Sequence, residues 1–408
     1  MRGHMQVIIV GAGLAGLASA VACRDKGHDV QVLESTDRIG GRMATEIIDG
    51  CRCDVGFHVL HTAYPTLERW IDVDALEAGP MDPVTGLIDP RTGRQSMLGD
   101  PLRAPSTLIG TLRTSGVWDG LRMLAWRRRA KKAGWDRPDE GLALLDDLRS
   151  RGFSESFLDE VIIPLFRGIL LDPEVRTSAA FASFVWHAMA SGPLVLPKEG
   201  IGAVPNQLAA RLPEGCVRTS TRVRSVTSRT VELEEGDHLE ADLVLIATAH
   251  RSARMLVHGG APPPPRASTA SVHYLAEKSP IRHPRLLLNR RHGQGDAVLH
   301  VHVPTLVHPS WSPDGRHLVH AVTIGEHAHA QIEPVVRGEL EQWFGPDVRG
   351  WTHVTTQVLH DSLPEHGRTR MQLAPFPSVR IIGDHTVHGS VHGTLQSVER
   401  LLDTMDGG

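Results

Sequence analysis

The sequence predicts an α/β protein in which a doubly wound, Rossmann-like parallel sheet is joined to a discontinuous α+β domain. Three observations lead to this prediction. A strand, a glycine-rich turn, a helix and a second strand follow one another over residues 7–34, which is the order of a βαβ unit. A further apolar strand at 379–382 precedes an amphipathic helix. Between them, stretches of helical and of alternating periodicity indicate a second unit.

The first βαβ unit carries a glycine pattern typical of dinucleotide binding. The apolar run 7–10 leads into Gly11-Ala12-Gly13-Leu14-Ala15-Gly16, and the second strand ends in Glu34. Gly11 permits the tight turn, Gly13 lets the backbone approach a pyrophosphate, and Gly16 lets the helix lie close to the strand. The helix N-terminus directs free N–H groups at phosphates, while Glu34 can accept hydrogen bonds from ribose hydroxyls. We therefore expect a dinucleotide to contact Gly11, Gly13, Leu14, Ala15, Gly16 and Glu34.

The segment after Glu34 favours a cofactor longer than a nicotinamide dinucleotide. It reads Ser35-Thr-Asp-Arg38-Ile-Gly40-Gly41-Arg42. Two glycines let the backbone approach a second half of the cofactor, and two arginines offer charge to its phosphates; the alternative is an ordinary surface turn. The pattern GxGxxG…E…RxGGR resembles the flavin-containing amine oxidase and phytoene desaturase superfamily, especially its phytoene-desaturase-like bacterial branch. The resemblance implies FAD, with contacts at Ser35, Arg38, Gly40, Gly41 and Arg42.

The resemblance extends to residues 379–402. Val379-Arg-Ile-Ile-Gly383-Asp384 reads as a strand that runs into Gly-Asp, and Ser390-Val391-His392-Gly-Thr opens an amphipathic helix. In the superfamily this Asp binds the ribityl–phosphate portion, and the helix directs its N-terminus at the pyrimidine edge of the flavin. That dipole would favour negative charge on a reduced flavin. The resemblance therefore implies cofactor contacts at Gly383, Asp384, Val391 and His392.

Three further stretches complete the resemblance. Asp54-Val-Gly56-Phe57-His58-Val59 is similar to the stretch that passes the isoalloxazine ring, which implies contacts from Gly56, Phe57, His58 and Val59. Val223 is similar to the residue whose backbone contacts the adenine, and the strand that ends at Ala247-Thr248 is similar to the one beside the cofactor. None of the four cysteines lies after Cys216, so we expect non-covalent FAD without a thioether near the last helix.

The order of these motifs predicts two discontinuous domains. Residues 1–75, 200–262 and 376–408 should form a Rossmann-like FAD-binding domain with a glutathione-reductase-like sheet. Residues 76–199 and 266–375 should form an α+β substrate-binding domain, because 140–190 has helical spacing and 270–325 alternates like strands. The proline run Pro262–Pro265 reads as a stiff connector between them.

The resemblance implies an FAD-dependent oxidoreductase that removes two hydrogens from a small or lipophilic organic substrate. Hydride would go to flavin N5, as in a desaturase or dehydrogenase, and the electrons would pass to oxygen or another acceptor. No second GxGxxG follows a strand, which argues against a separate NADPH site.

Two alternative activities stay open. A flavin amine or amino-acid oxidase would release hydrogen peroxide. Amine oxidases usually hold a lysine near flavin N5, whereas Lys278, one of only five lysines, stands in Glu-Lys-Ser-Pro and resembles a surface turn. A flavin-dependent isomerase or mutase would perform no net redox reaction.

Candidate chemistry beyond the cofactor rests on four side chains. His58 stands where relatives often carry a neutral residue, and a histidine there could act as a general base near pH 7. It could equally hydrogen-bond the flavin or backbone, and hydride transfer does not always need a protein base. Tyr64, Arg167 and His388 are candidates for substrate contact.

The many histidines raise the question of a metal. The chain contains 24 histidines, and His300 and His302 should share one strand face, as should His327 and His329. No carboxylate or cysteine completes a recognisable ligand set for these pairs. We therefore expect no metal site.

Composition bounds location and partners. The net charge of −4 and the isoelectric point near 6.7 give no attraction to nucleic acid. The sequence shows no secretory signal, and its four cysteines do not form a disulfide framework, so we expect a cytoplasmic protein.

One amphipathic segment complicates that expectation. Val117–Trp135 combines an apolar stripe with five basic residues over 127–132. Such a helix can lie on an anionic membrane and would suit an enzyme that draws a lipophilic substrate from a bilayer. The alternative is a helix of the substrate domain with a solvated basic face.

Overall fold

The structure is a computed structural model that describes residues 4–135, 141–259, 267–291, 295–364 and 376–406; the proline run Pro262–Pro265 lies outside these ranges. The predicted α/β class is confirmed. The helices are α1 (Leu14–Asp25), α2 (Leu67–Trp70), α3 (Leu108–Ala133), α4 (Leu144–Ser150), α5 (Glu155–Phe157), α6 (Ile163–Leu170), α7 (Ala179–Ser191), α8 (Ala203–Ala209), α9 (His250–His258), α10 (Glu333–Phe344) and α11 (Val391–Asp406).

The strands belong to two large sheets and three small ones. They are β1 (Gln6–Val10), β2 (Asp29–Leu33), β3 (Thr45–Ile48), β4 (Cys51–Asp54), β5 (Leu60–His61), β6 (Gly79–Pro80), β7 (Val84–Ile88), β8 (Gln95–Gly99), β9 (Leu194–Leu196), β10 (Val217–Arg218), β11 (Val223–Val226), β12 (Thr230–Leu233), β13 (His238–Glu240), β14 (Leu243–Ile246), β15 (Thr269–Ala276), β16 (Leu287–Asn289), β17 (Val298–His302), β18 (His317–Ile324), β19 (Thr352–Leu359) and β20 (Val379–Ile381).

A five-stranded parallel sheet, in the order β10-β2-β1-β14-β20, forms the first layer. Successive side chains of its central strand β1 point to opposite faces of the sheet, so they pack into two different hydrophobic cores. Val7 and Ile9 pack against the helices α1, α8 and α11, whereas Ile8 and Val10 pack against the antiparallel sheet β11-β12-β13. Helices therefore cover one face of the parallel sheet and a small antiparallel sheet covers the other.

A seven-stranded sheet, in the order β19-β15-β18-β17-β16-β7-β8, forms the second large layer. Its strand pairs are antiparallel apart from β7 and β16, which run parallel. Alternate residues of β15 and β18, such as Val272 and Val319, pack with Val336 and Leu340 of α10 on the outer face. The opposite, inner face turns toward the parallel sheet.

The helical stretch predicted for 140–190 is confirmed as α4 to α7, and the strands predicted for 270–325 as β15 to β18. The predicted helix Val117–Trp135 corresponds to the second part of the longer α3, which ends at Ala133, so Trp135 lies outside the helix. Gly116 has a left-handed φ of 70° and kinks α3. In the described part of the chain, no helix is both long and apolar enough to cross a membrane. The two large sheets draw on the chain segments expected for the two domains, whose exact boundaries stay a prediction.

Candidate functional site

A cavity of about 860 Å³ lies between the carboxyl ends of the parallel strands and the inner face of the seven-stranded sheet. Most of the predicted site residues line it. These are Gly11, Gly13, Leu14, Ala15, Glu34, Ser35, Gly40, Gly41, Arg42, Gly56, Phe57, His58, Val59, Tyr64, Val223, Ala247, Thr248, Gly383, Asp384 and Val391. The predicted residues outside the lining are Gly16, Arg38, Arg167, His388 and His392.

The turn between β1 and α1 depends on side-chain-free backbone. Gly11 has a φ of 104°, which disfavours any side chain. A Cβ built at Gly16 would overlap the carbonyl oxygen of Gly11, whereas one built at Gly13 would meet nothing within 4 Å. Helix α1 therefore sits directly on the turn and leaves open space above Gly13. No side chain caps α1, so its first N–H groups carry the partial positive charge of the helix toward that space.

The second glycine pair packs against the first turn. The Gly40 N–H donates to the carbonyl oxygen of Ala12 at 2.9 Å, and Gly13 and Gly40 form an isolated parallel bridge. A Cβ on Gly41 would lie 3.4 Å from the Cα of Gly13. The two glycine turns thus form one continuous backbone wall, which suits a ligand that needs close backbone approach along its length.

Glu34 is held in place at the end of β2. Its carboxylate accepts hydrogen bonds from the Ala12 N–H and the Thr36 N–H, each at 2.9 Å, and from the Thr36 hydroxyl at 2.9 Å. The Glu34 side chain is buried and forms part of the cavity lining. These donors fix an acceptor at the position predicted to receive ribose hydroxyls.

The two arginines of the loop are used differently. Arg38 pairs with Glu46 at 3.0 Å and donates to the carbonyl oxygen of Gly41, so its charge is used within the loop. Arg42 lines the cavity and forms a two-pronged ion pair with Asp384, with N···O distances of 2.9 and 2.8 Å. Burial alone would raise the pKa of Asp384, but the Arg42 guanidinium holds it well below its usual range. The buried pair joins the loop after β2 to the segment after β20.

His58 lines the middle of the cavity. Its Nε2 lies 3.1 Å from the carbonyl oxygen of Val55, which can only accept, so this nitrogen donates. Burial lowers the pKa of His58, and the carbonyl oxygens of Val55 and Arg42 oppose that shift only in part. The ring is therefore neutral at pH 7, which is the form a general base requires.

The start of α11 rests on a group of stacked rings. Ser390 caps the helix by accepting the N–H of Gly393 at 2.9 Å. The buried His392 ring stacks on Tyr64 with 5.6 Å between centroids, and its Nδ1 lies 2.9 Å from the Thr66 hydroxyl. His392 thus supports Tyr64, which faces the cavity, and burial raises the pKa of that phenol so that it stays protonated.

The two other candidate substrate residues point elsewhere. Arg167 donates from Nε to the carbonyl oxygen of Pro173 at 2.8 Å, and burial lowers its pKa. The His388 ring packs on Phe184 at 4.4 Å, and its Nδ1 lies 3.1 Å from the Ser390 hydroxyl. Of the three candidates, Tyr64 is the one in the cavity lining.

The lining residues contributed by 76–199 and 266–363, here called the substrate-side lining, are mostly apolar. Its large apolar members are Met81, Val84, Leu165, Ile169, Leu170, Leu171, Phe181, Phe184, Val185, Met189, Leu194, Leu286, Val322, Leu359 and Leu363. Among the residues that the structure describes, its one charged member is Asp82, which pairs with Arg285 at 2.9 Å. No lysine of the chain lines the cavity. Asp82 and these apolar residues carry no motif, so they could not be predicted as site residues from the sequence.

A cluster of four buried histidines lies behind Phe57 on the inner face of the seven-stranded sheet. His300 and His302 contact the Phe57 ring at 4.5 and 4.9 Å between centroids, and His273 stacks on His320 at 4.2 Å. Burial lowers the pKa of His273 and of His302 to about 3, so these rings are neutral. Among the described residues, no three His, Cys, Asp or Glu side chains are arranged to hold a metal ion.

A model of the flavin containing amine oxidoreductase family matches residues 14–400. The chain belongs to this family. Membership confirms the predicted superfamily. The cavity fits a flavin cofactor, because its glycine turns leave room along the backbone and its open wall carries the free N-terminus of α1.

The chain is similar in sequence to a curated phytoene desaturase. The chain is 24% identical over 285 residues to a 15-cis-phytoene desaturase of Capsicum annuum, a match that covers 60% of this chain and 46% of that protein. The chain thus spans less than half the length of this curated relative.

Three solved structures share the fold of this chain. An oxidoreductase from Methanosarcina mazei has 18% identity and a TM-score of 0.74, covering 98% of this chain and 100% of its own. A putrescine oxidase mutant has 18% identity and a TM-score of 0.73, covering 99% of each chain. Reduced UDP-galactopyranose mutase has 13% identity and a TM-score of 0.70, covering 100% of this chain and 95% of its own. At these identities the likeness concerns the fold alone.

Proposed function

We propose that the flavin is FAD and that it binds without a covalent bond. The adenine half would lie against the first glycine turn, with Glu34 at the ribose and the Val223 backbone at the adenine. The continuous wall of two glycine turns supports this longer cofactor, and the Arg42–Asp384 pair would lie at the ribityl–phosphate portion. None of the four cysteines lines the cavity, which supports non-covalent binding.

We propose that the enzyme removes two hydrogens from an apolar organic substrate, in the manner of a desaturase or dehydrogenase. A bound flavin would supply the hydride acceptor at N5, and oxygen or another acceptor would take the electrons. The observation that carries this proposal is the substrate-side lining, in which apolar side chains dominate and the one charged side chain is already paired. Such a surface binds hydrocarbon and excludes water.

The polar residues of the cavity would then orient the substrate or the flavin rather than bind a charged substrate group. The neutral His58 is placed to take the proton released when the carbon–hydrogen bonds break, or to orient the flavin edge. Tyr64 offers a protonated hydroxyl at the boundary between the flavin-binding wall and the substrate-side lining. Arg167 and His388 would hold this wall in shape from behind.

Two other activities compete with this proposal. A flavin amine or amino-acid oxidase needs a partner for a charged substrate, and among the described residues the substrate side of the cavity offers neither a lysine nor an unpaired charge. The fold of UDP-galactopyranose mutase gives weak support to a reaction without net redox, at 13% identity. Reduction of the flavin under anaerobic conditions gives a separate result for each of these two activities.

We also propose that the enzyme is cytoplasmic and lies at the periphery of a membrane, where lipophilic substrates are found. The four cysteines are free and buried, as expected for a reducing compartment. Helix α3 is the candidate contact.

The experiment is an anaerobic reduction of the purified holoprotein. Its visible spectrum and the mass of the flavin released by acid would first identify the cofactor and its linkage. Polyenes and other lipophilic compounds in detergent should then bleach the flavin, whereas amines, amino acids and sugar nucleotides should not. Bleaching by amines with peroxide release would replace the proposal with an amine oxidase. A flavin that stays oxidised while an isomer accumulates would replace it with a mutase.

A further inference from the structure

The surface around the first half of α3 is unusually apolar. Trp118 is 73% exposed, Leu102 68%, Ile109 66% and Val117 60%, and Leu108 and Leu121 are also exposed. These six residues, here called the α3 patch, are more than half of the eleven large apolar side chains that are exposed in the described chain. All six lie within residues 102–121, so the exposed apolar surface is concentrated on one stretch of the chain. Exposed apolar patches mark contact surfaces in soluble proteins.

The α3 patch is separate from the face of α3 that packs into the hydrophobic core. Helix α3 already buries Met123, Trp126 and Ala130, and the Trp126 indole N–H donates to Ser183 of α7 at 3.0 Å. Trp118 and Leu121 lie on the opposite, exposed side of the same helix. The part of α3 that follows the kink at Gly116 is therefore anchored by one face and exposes the other.

The exposed side of α3 carries only positive charge. Arg128, Arg129, Lys131 and Lys132 continue that side beyond Leu121, and in the described chain no carboxylate pairs with them. The one carboxylate of α3, Asp119, is buried and bonded to Arg122 and Ser154. An apolar surface next to unpaired cations complements a bilayer with anionic headgroups.

The patch adjoins the substrate-side lining. Helix α3 packs on β8, which pairs with β7, and Val84 and Thr85 of β7 line the cavity. Beside Leu102, the Arg103 guanidinium donates to the carbonyl oxygen of Met189, which also lines the cavity, at 3.1 Å. A lipophilic molecule in a bilayer under the patch would thus lie close to the apolar cavity.

We propose that the α3 patch and its basic extension dock this enzyme on an anionic membrane, from which it takes a lipophilic substrate; the second clause rests on the function proposed above. The apolar side chains enter the boundary between headgroups and acyl chains. The arginines and lysines of α3 contact the headgroups.

Vesicle flotation with the full-length holoprotein tests the docking. Wild type should float with phosphatidylcholine vesicles that contain phosphatidylglycerol and bind phosphatidylcholine alone more weakly. Ile109→Ser/Trp118→Ser should weaken binding at least roughly tenfold, because each change removes an exposed apolar side chain that would become buried in the bilayer. Arg128→Gln/Arg129→Gln should weaken binding to anionic vesicles roughly 30-fold. Ile47→Ser, at a 63% exposed apolar position elsewhere, is the control and should bind as wild type does.

Reduction of the flavin separates the docking from the proposed function. Both double variants should keep the wild-type flavin spectrum and bleach at the wild-type rate with substrate in detergent, yet bleach slowly with substrate in vesicles. Absence of flotation by wild type, or equal flotation by the Ile109→Ser/Trp118→Ser variant, would overturn the docking. A patch variant that changes the oligomeric state without changing vesicle binding would instead assign the patch to a second copy of the chain.

Discussion

Buried ionisable side chains at the cavity are held in opposite charge states. Asp384 is buried yet stays ionised because Arg42 contacts it with two nitrogens. His58 and three of the histidines behind Phe57 are buried and stay neutral, because burial lowers the pKa of each ring, to about 3 for His302. The difference follows from partners rather than depth, since burial disfavours both charges. Substitutions at these residues therefore have separable effects.

The first prediction concerns proton transfer at His58. If His58 accepts the substrate proton, His58→Gln should lower the rate of flavin reduction by about 10²–10⁴. The wild-type rate should fall as the pH drops below the lowered pKa of His58, and the variant should lose that decline. Stopped-flow reduction across a pH series measures both. A glutamine variant with the wild-type rate and pH profile would leave His58 as a hydrogen-bonding residue only.

The second prediction concerns the histidine cluster. The unfolded chain takes up protons at these histidines below about pH 6.5, whereas folded His302 does so near a pKa of about 3. Above pH 6.5 these histidines are neutral in both the folded and the unfolded chain, so their burial adds no pH dependence to the free energy of unfolding. As the pH falls from 6.5 toward 3, the unfolded chain is protonated first and the free energy of unfolding decreases. Each such ring should cost about 2 kcal/mol between pH 7 and pH 5.

Urea unfolding of His302→Leu at both pH values checks this cost. The variant should lose about 2 kcal/mol less stability than wild type on acidification. His238→Gln, at an exposed position on β13, should keep the wild-type dependence. An equal acid loss in His302→Leu and wild type would contradict the prediction.

The third prediction concerns the Arg42–Asp384 pair. Asp384→Asn removes the counter-charge of a partly buried arginine, so the free energy of unfolding should fall by about 2 kcal/mol or more at pH 7. The flavin should also bind more weakly, because Arg42 would lose its orientation. Urea unfolding and flavin fluorescence titration measure the two effects. Asp25→Asn, which breaks an exposed pair with Arg211, should change neither, and an equal response of the two variants would argue against a special role for Asp384.

At the scale of elements, helix α1 is placed by contact with the turn that precedes it. The carbonyl oxygen of Gly11 occupies the space that a side chain at position 16 would need. The strand, the turn and the helix therefore act as one rigid unit, with the free N–H groups of α1 aimed into the cavity.

The fourth prediction tests this unit. Gly16→Ala should push α1 away from the turn, lower the free energy of unfolding by about 1–3 kcal/mol and weaken flavin binding strongly. Thermal unfolding and fluorescence titration measure these effects. Gly338→Ala is the matched control, because this helical glycine of α10 has nothing within 4 Å of a built Cβ, so alanine should be neutral or slightly stabilising. Tight flavin binding by the Gly16→Ala variant would show that the close approach is not needed.

Elements with local signals could be predicted from the sequence. The unit β1–α1–β2 and the segment β20–α11 were predicted because their turns require glycine and their periodicity is clear. The orientation of α3 could not be predicted, because a stripe containing Val117, Trp118 and Leu121 has the same spacing whether it faces core or solvent. The structure buries Met123 and Trp126 instead. The pairing of Arg38 with Glu46 could not be predicted either, because the fold brings these two side chains together.

At the scale of the whole molecule, the cavity exists because two sheets from interleaved segments of the chain face each other. The wall predicted to bind the flavin could largely be located by its motifs. The substrate-side lining could not, because Leu165, Leu194 and Val322 belong to three separate elements and none carries a distinguishing pattern. The histidine cluster assembles in the same way from β15, β17 and β18.

The fifth prediction concerns the charge distribution of the whole protein. The net charge of −4 would be repelled by an anionic membrane, whereas the basic extension of the α3 patch is attracted to it. Binding should therefore depend on orientation and weaken as salt screens the attraction, with a screening length of about 10 Å at 0.1 M. Flotation across a NaCl series should show a steep decline for wild type and a shallower one for Arg128→Gln/Arg129→Gln. Salt-independent binding of wild type would contradict an electrostatic contribution.

The edge position of β20 has a consequence for how the holoenzyme is made. Residues 379–384 add the last strand to the parallel sheet and bring Asp384 to Arg42, which lies 342 residues earlier in the chain. A ribosome completes the glycine turn of residues 11–16 long before it makes the partner of Arg42. The growing polypeptide therefore lacks one wall of the pocket during most of its synthesis. We expect cells to load the flavin after translation, and a nascent chain stalled before residue 379 to remain colourless.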